Sequence, residues 1–330
     1  MAKRLPFTIL GVGHALPGRI MTNADFEKIL DTSDEWITTR TGIRERRICA
    51  EDENTLTMAL QASRAALTAA ACQPEDLDLI ILATCTPAYP IPATACFLQH
   101  QLGCRHIPAF DLSAACSGFI YAFSAAVGMM TVSPYKRVLI IGAETMSRVT
   151  DFQDRGTCIL LGDGAGAAVL GPADDKVTGV YDLHLGADGG GAELITVPAG
   201  GSWLPTSTRT VDDRLHYLKM NGREVYKFAV TKMQEVIREA VQRARIKMDD
   251  LALVIPHQSN ARIIESAVEK LGLPASKVAV NIDRYGNTSA ASIPIALAEA
   301  VQDGRIHKGE WLLMAGFGGG LTWGTVLIRF

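Results

Sequence analysis

The chain has 330 residues, room for two domains of ordinary size, of which 48% are hydrophobic and 20% charged; that balance excludes a disordered chain and calls for a large buried core. A formal net charge of −3 supplies no global attraction to nucleic acid or to an anionic membrane surface, so any basic patch must be local. Seven cysteines, at 49, 72, 85, 96, 104, 116 and 158, with no Cys-x-x-Cys pair, argue against a disulfide scaffold and a structural zinc site, and fit a reducing compartment.

The first eleven residues carry two basic side chains and one short apolar stretch without a small-residue cleavage pattern, and read as a first strand. Apolar periodicity then predicts helices over 55–71, 117–130, 222–245 and 261–271, and short interior strands over 77–83, 137–141, 167–170, 251–255 and 311–315. The apolar stretch 77–98 is broken by Pro87, Pro90 and Pro92. No run reaches the roughly 18 consecutive apolar residues of a membrane span, and a soluble protein is expected. Alternating helices and strands place the chain in the α/β class.

Two segments recur at one offset. Glu75-Asp-Leu-Asp-Leu-Ile-Ile81 lines up with Asp249-Asp-Leu-Ala-Leu-Val-Ile255, and Val138-Leu-Ile-Ile-Gly142 with Leu312-Leu-Met-Ala-Gly316; Leu77 stands as far from Leu251 as Gly142 does from Gly316. The simplest reading is a duplicated α/β unit, one half over 1–171 and the other over 172–330. The same offset carries Cys116 to Ala290, three residues after Asn287. Both sites would then lie where a strand passes into a helix, the crevice in which open α/β sheets bind ligands.

Cys116 stands in Phe110-Asp-Leu-Ser-Ala-Ala-Cys116-Ser-Gly-Phe119, among small residues and directly before an apolar helix. The helix dipole and unpaired N–H groups there favour the thiolate and should lower its pKa; a buried structural Cys is the competing reading. His257 follows the strand 251–256 and opens a polar turn, a place that suits an imidazole facing a cleft. Asn287, in Gly286-Asn-Thr-Ser-Ala-Ala291, reads equally as a turn residue or helix N-cap. Gly162-Asp-Gly-Ala-Gly166 looks like a phosphate loop but is followed by a strand-like run, which rejects a dinucleotide site. Phe317-Gly-Gly-Gly320 offers bare backbone N–H groups for an oxyanion, or a plain tight turn.

Together, Ala-Ala-Cys116-Ser-Gly, Pro-His257-Gln-Ser-Asn260, Gly-Asn287-Thr-Ser-Ala-Ala-Ser and Gly-Phe-Gly-Gly-Gly resemble the β-ketoacyl-acyl-carrier-protein synthase III family of the thiolase superfamily. The resemblance continues through Asp31-Thr-Ser-Asp-Glu-Trp36-Ile-Thr-Thr-Arg40, Asp154-Arg155-Gly156, Gly162-Asp-Gly-Ala-Gly-Ala and the ending Leu-Thr-Trp-Gly, and so covers essentially the whole chain. It implies a thiolase-like fold of duplicated βαβαβαββ halves in a five-layered αβαβα architecture. It also implies a decarboxylative Claisen condensation of an acyl-coenzyme A primer with malonyl-acyl-carrier protein, giving 3-oxoacyl-carrier protein, coenzyme A and carbon dioxide and initiating fatty acid synthesis.

By that resemblance Cys116 takes the acyl group, the N–H groups of Cys116 and Gly319 bind the thioester oxyanion, and His257 Nε2 with the Asn287 amide stabilises the enolate left by decarboxylation. Trp36 and Arg155 look like a pair that sandwiches the adenine of coenzyme A, with Arg40, Gly222 and Asn260 along the pantetheine or nucleotide path. Lys227, Gln258, Arg262 and Lys270 are the matching carrier-protein contacts, against their reading as ordinary solvated side chains. Where members using short straight primers have Phe at the base of the acyl pocket, this chain has Ile91, which would admit a longer or branched chain. The resemblance implies a cytoplasmic homodimer with no metal and no cofactor beyond its substrates. A papain-like order of Cys, His and Asn is the rival constellation, but Ser-Ala-Ala-Cys116-Ser-Gly lacks that signature. A catalytically dead binding member is disfavoured because every reactive position is occupied, while a relative that makes a secondary metabolite stays open.

Overall fold

The short, uniformly apolar runs become strands covered on both faces. In the computed structural model, which describes residues 4–330, one sheet holds β1 (Phe7–Ala15), β2 (Leu79–Ala83), β3 (Ala109–Leu112), β4 (Val138–Thr145) and β5 (Asp163–Pro172) in the order β1-β5-β4-β2-β3. β2 runs parallel to β3 and β4, whereas β5 is antiparallel to both of its neighbours. A second sheet holds β6 (Gly179–Ala187), β7 (Leu251–Pro256), β8 (Trp311–Gly318) and β9 (Thr322–Arg329) in the order β7-β8-β9-β6, with β7 and β8 parallel. The fifth place is reduced to a single parallel bridge between Val254 and Val278.

Six principal helices complete three further layers: α1 (Thr55–Ala69), α2 (Thr94–Leu102), α3 (Gly118–Val132), α4 (Gly222–Ala244), α5 (Ala261–Leu271) and α6 (Ser292–Gln302). α3 and α6 share one core with inward side chains of both sheets, among them Ile81, Ile140, Ile255 and Met314. α1 and α2 cover the outer face of the first sheet, and α4 and α5 that of the second. The result is the αβαβα sandwich expected of thiolase-like halves. α4 shows why these segments are helical. Its buried residues Ala229, Met233, Val236, Ile237, Ala240, Val241 and Ala244 fall on one stripe at helical spacing, and the Asn221 side chain accepts from Glu224 N–H at its start.

α3 and the turn before it are not an unbroken apolar run, since Ser117, Ser124 and Thr131 interrupt it. With its preceding turn, Ala115–Val132 is long and apolar enough to cross a bilayer by length and composition alone. The physical reason is its place: Phe119, Ile120, Phe123 and Val127 are buried in the core between the two sheets, so that face is apolar throughout, while about 50% of the stretch, with Val132 at its end, stays outside that core.

The duplication is visible in the backbone. The one-turn 3₁₀ segments Pro74–Asp76 and Met248–Asp250 stand apart by the offset of the sequence repeat, as do Ala115–Ser117 and Ser289–Ala291. Ala115 and Ser289 both adopt a left-handed conformation, φ 47° and 49°. The Gly-rich stretch after Gly162 continues as β5, as the rejection of a dinucleotide site requires.

Candidate active site

β3 ends at Leu112, and three residues later Ala115 turns the chain so that Cys116 stands at the head of α3. The opposite wall is Gly318, where an added Cβ would come within 2.6 Å of Cys116 N. Only glycine allows that approach. On the second half His257 follows β7 directly, its N–H bonded to Ala315 O at 2.8 Å. Its ring packs edge-on against Phe317, with centroids 5.3 Å apart, and Nδ1 lies 2.6 Å from Ser292 Oγ.

Asn287 is pinned by its backbone. Its N–H donates to Leu160 O at 2.8 Å and its carbonyl accepts from Gly162 N–H at 3.1 Å. Its side-chain oxygen accepts from Ser289 N–H at 2.9 Å, which fixes the amide orientation and leaves Nδ2 to donate elsewhere. Cys116, His257 and Asn287, far apart in sequence, line one cavity of roughly 290 Å³ with Trp36, Arg40, Gly222 and Asn260.

Behind these residues sits a carboxyl that the sequence reading missed. Glu144, on β4 and fully buried, accepts from the hydroxyls of Thr84, Thr86 and Ser289 at 3.0, 2.6 and 3.0 Å, and from the backbone N–H groups of Cys85 and Thr86 at 3.1 Å. It ties the loop after β2 to the turn after Asn287. Burial raises its pKa against the opposing pull of these hydrogen bonds. Burial likewise pushes the Cys116 thiol up to about 12, outweighing the Ser289 hydroxyl, with Glu144 adding to the rise. The direction is opposite to the lowering expected from the helix terminus. Burial alone holds His257 down at about 3, so the imidazole is neutral near pH 7.

Two of the candidate contacts fall elsewhere. Gln258 is 1% exposed; its amide donates to Pro256 O and Ala279 O at 2.8 and 3.1 Å and accepts from Asn281 N–H at 3.0 Å. It braces β7 and cannot touch a carrier protein. Ile91 is 87% exposed and does not line the cavity of its own chain. Arg40 and Arg155 each place a guanidinium over the Trp36 ring, at 4.8 and 4.9 Å from its centroid. A base stacking on Trp36 has to displace one of them, at a cost of about 0.5–1 kcal/mol for an exposed cation–π contact. Asn260 caps α5 and donates to Arg40 O at 3.1 Å, joining two cavity walls. Gly319 opens the turn beside Ala115. Lys227, Arg262 and Lys270 are exposed on α4 and α5, with Lys227 paired to Glu224 at 2.7 Å. Of the residues missed, Ser292 and Phe317 stood inside recognisable motifs, and Glu144 was signalled as the lone carboxylate in an apolar strand.

The family models for 3-oxoacyl-[acyl-carrier-protein] synthase III and for its C-terminal region match residues 110–189 and 241–330. A β-ketoacyl-[acyl-carrier-protein] synthase III of Symbiobacterium thermophilum is 50% identical over 325 residues, covering 98% of each chain. This chain belongs to the β-ketoacyl-acyl-carrier-protein synthase III family. It is an acyl-transferring condensing enzyme of fatty acid biosynthesis with the thiolase fold. The crystal structure of the synthase III from Aquifex aeolicus matches at TM-score 0.90 and 49% identity, over 98% of this chain and 100% of that one. A priming β-ketosynthase from the R1128 polyketide pathway matches at TM-score 0.90 and 37% identity, over 99% and 97%.

Proposed function

We propose that this synthase III takes an acyl group from acyl-coenzyme A onto Cys116 and condenses it with malonyl-acyl-carrier protein. The observation that carries this reading is the meeting of Cys116, His257 and Asn287 in one cavity. In the first half-reaction Cys116 Sγ forms a bond to the acyl carbonyl carbon, the carbon–sulfur bond to coenzyme A breaks, and the thiol proton ends on the departing coenzyme A sulfur. The N–H groups of Cys116 and Gly319 hold the oxyanion. In the second, the malonyl carboxylate leaves as carbon dioxide, and the enolate oxygen is held by His257 Nε2 and the Asn287 amide. The carbanion attacks acyl-Cys116, expelling a thiolate that takes a proton from solvent. A thiol pKa near 12 returns that sulfur to its neutral state.

Trp36, Arg40, Arg155, Gly222 and Asn260 line the coenzyme A path in this reading, and Lys227, Arg262 and Lys270 meet the acidic carrier. No metal or cofactor enters these steps. The protein works in the cytoplasm as a homodimer, with Tyr89 and Ile91, 56% and 87% exposed, covered by the second copy. The deciding experiment is intact-protein mass after mixing with a series of acyl-coenzyme A esters, then malonyl-carrier protein, with Cys116→Ala as control. A stoichiometric adduct discharged only by malonyl-carrier protein, with release of carbon dioxide and 3-oxoacyl product, supports the reading and names the primer. An adduct that never forms, or that water discharges as fast, overturns it. The likeness to a polyketide-priming ketosynthase favours one second reading, priming of a secondary metabolite, which preferential turnover with a polyketide carrier over the fatty acid carrier would select.

A further inference from the structure

A neutral imidazole carries one proton, and enolate stabilisation at His257 needs it on Nε2. Hydrogen-bond accounting around Ser292 decides where it is. Ser292 is 2% exposed and opens α6. Its Oγ has two hydrogen-bonding neighbours among the described residues: His257 Nδ1 at 2.6 Å and the backbone N of Gln258 at 3.4 Å. The amide can only donate, so it uses a lone pair of the hydroxyl. The hydroxyl's own proton must go to an acceptor, because a buried donor left unpaired is costly. The acceptor within reach is Nδ1. If Nδ1–H donated instead, the serine proton would have nowhere to go.

The duplication gives independent support. Carried back by the repeat offset, His257 and Ser292 fall on Ala83 and Gly118, and a Cβ added at Gly118 would lie 3.0 Å from Ala83 Cβ. The same two positions therefore face each other in both halves, filled by an apolar pair in the first and by a hydrogen-bonded pair in the second. Ser292 is not needed to complete the fold at that place; its counterpart has no side chain.

We propose that Ser292 is a positioning residue that donates to His257 Nδ1 and locks the imidazole in the Nε2–H tautomer, the donor required when the malonyl group loses carbon dioxide. The lowered pKa of His257 agrees with a ring that works as a neutral donor. This inference rests on the condensation reading for its catalytic meaning, but the tautomer is measurable without turnover. It deepens that reading by separating the two half-reactions: Ser292 serves the second and is idle in the first.

The test begins with ¹⁵N-histidine-labelled full-length wild type, in which two-bond ¹H–¹⁵N correlations read the tautomer and the signals lost in His257→Gln assign the residue. The expected result is an unprotonated Nδ1 and a protonated Nε2; a protonated Nδ1 overturns the proposal whatever the enzyme's activity. Ser292→Ala is expected to mix the tautomers and to slow carbon dioxide release about 10- to 100-fold, with acylation of Cys116 by acyl-coenzyme A unchanged and Ser292→Thr restoring both tautomer and rate. An alanine variant with unaltered tautomer and rate overturns the proposal. So does one that loses acylation and decarboxylation alike while the tautomer stays put, since that is a purely structural role. If wild type proves unable to condense, the functional reading falls while the wild-type spectrum still decides whether Ser292 sets the tautomer.

Discussion

At the head of α3 the chain turns through Ala115, φ 47°, into Cys116; at the equivalent place in the second half it turns through Ser289, φ 49°, into Ala290 at the head of α6. The backbones match and the chemistry does not. The first turn offers a thiol among small neighbours. The second places no reactive group at the equivalent position, but carries Asn287 just before it, Ser289 on Glu144 and Ser292 on His257. A duplicated scaffold thus provides two facing turns, and in the proposed mechanism divergence of side chains alone divides the labour between bond formation and charge stabilisation.

That division breaks first if the wrong half-reaction fails. Asn287→Ala removes the enolate donor proposed for the second half and should slow decarboxylative condensation by about 10² to 10³-fold, while acyl transfer to Cys116 stays within a few-fold of wild type. Carbon dioxide release and intact mass measure the two separately. Equal losses in both would show that the halves do not divide the work.

The second test concerns how closely the turns approach. Gly142 and Gly316 occupy equivalent places on β4 and β8, and each faces the turn of the other half. A Cβ on Gly142 would meet Ala290 O at 2.2 Å, whereas one on Gly316 finds its nearest atoms, on Ile120, Ile293 and Ser117, at 3.3–3.4 Å. Gly142→Ala should therefore cost about 2–3 kcal/mol, because backbone has to move, and Gly316→Ala under about 1 kcal/mol, because side-chain ends can give. Urea unfolding midpoints compare the two directly.

A third difference is electrical. His257 has a native pKa of about 3 against an ordinary value of 6.5, while its counterpart Ala83 does not titrate. With the folded pKa depressed, the neutral ring's contribution is intact above pH 6.5 and is lost as pH falls toward 3, because the unfolded chain takes up a proton that the native site refuses. The slope is about 1.4 kcal/mol per pH unit. Between pH 7 and pH 5 wild type should lose about 2 kcal/mol that His257→Gln retains. Parallel stability curves for the two proteins would place a counter-charge near the ring.

Much of this molecule was legible before its structure. The strands 77–83 and 251–255, the helix before each and the common offset carry the architecture, because burial on both faces forces apolar runs and duplication repeats them. Cys116, His257 and Asn287 stood in short motifs whose residue types suit the chemistry. What sequence could not supply was environment. The Cys116 thiol is raised, not lowered, because burial and the nearby Glu144 outweigh the Ser289 hydroxyl. Gln258 and His257 are neighbours in one motif, yet one braces a strand while the other faces the cavity. The strained Ala115 leaves no trace in composition, since alanine is not the residue that a left-handed turn selects.

That strain yields the smallest and most discriminating comparison. A non-glycine residue at positive φ costs on the order of 1 kcal/mol. Ala115→Gly relieves it, less what a more flexible unfolded chain takes back, and should raise stability by about 0.5 kcal/mol. Ser289→Gly relieves the same strain at φ 49°, but removes the hydroxyl that donates to buried Glu144 at 3.0 Å, a loss of about 1–2 kcal/mol. It should therefore destabilise. Opposite signs from one substitution at two equivalent backbones, read from urea midpoints at one pH, would mean that the first turn keeps its alanine for the placing of Cys116, and the second its serine for the carboxyl behind it. A stabilised Ser289→Gly would instead remove Glu144 from the forces that hold the two halves in register.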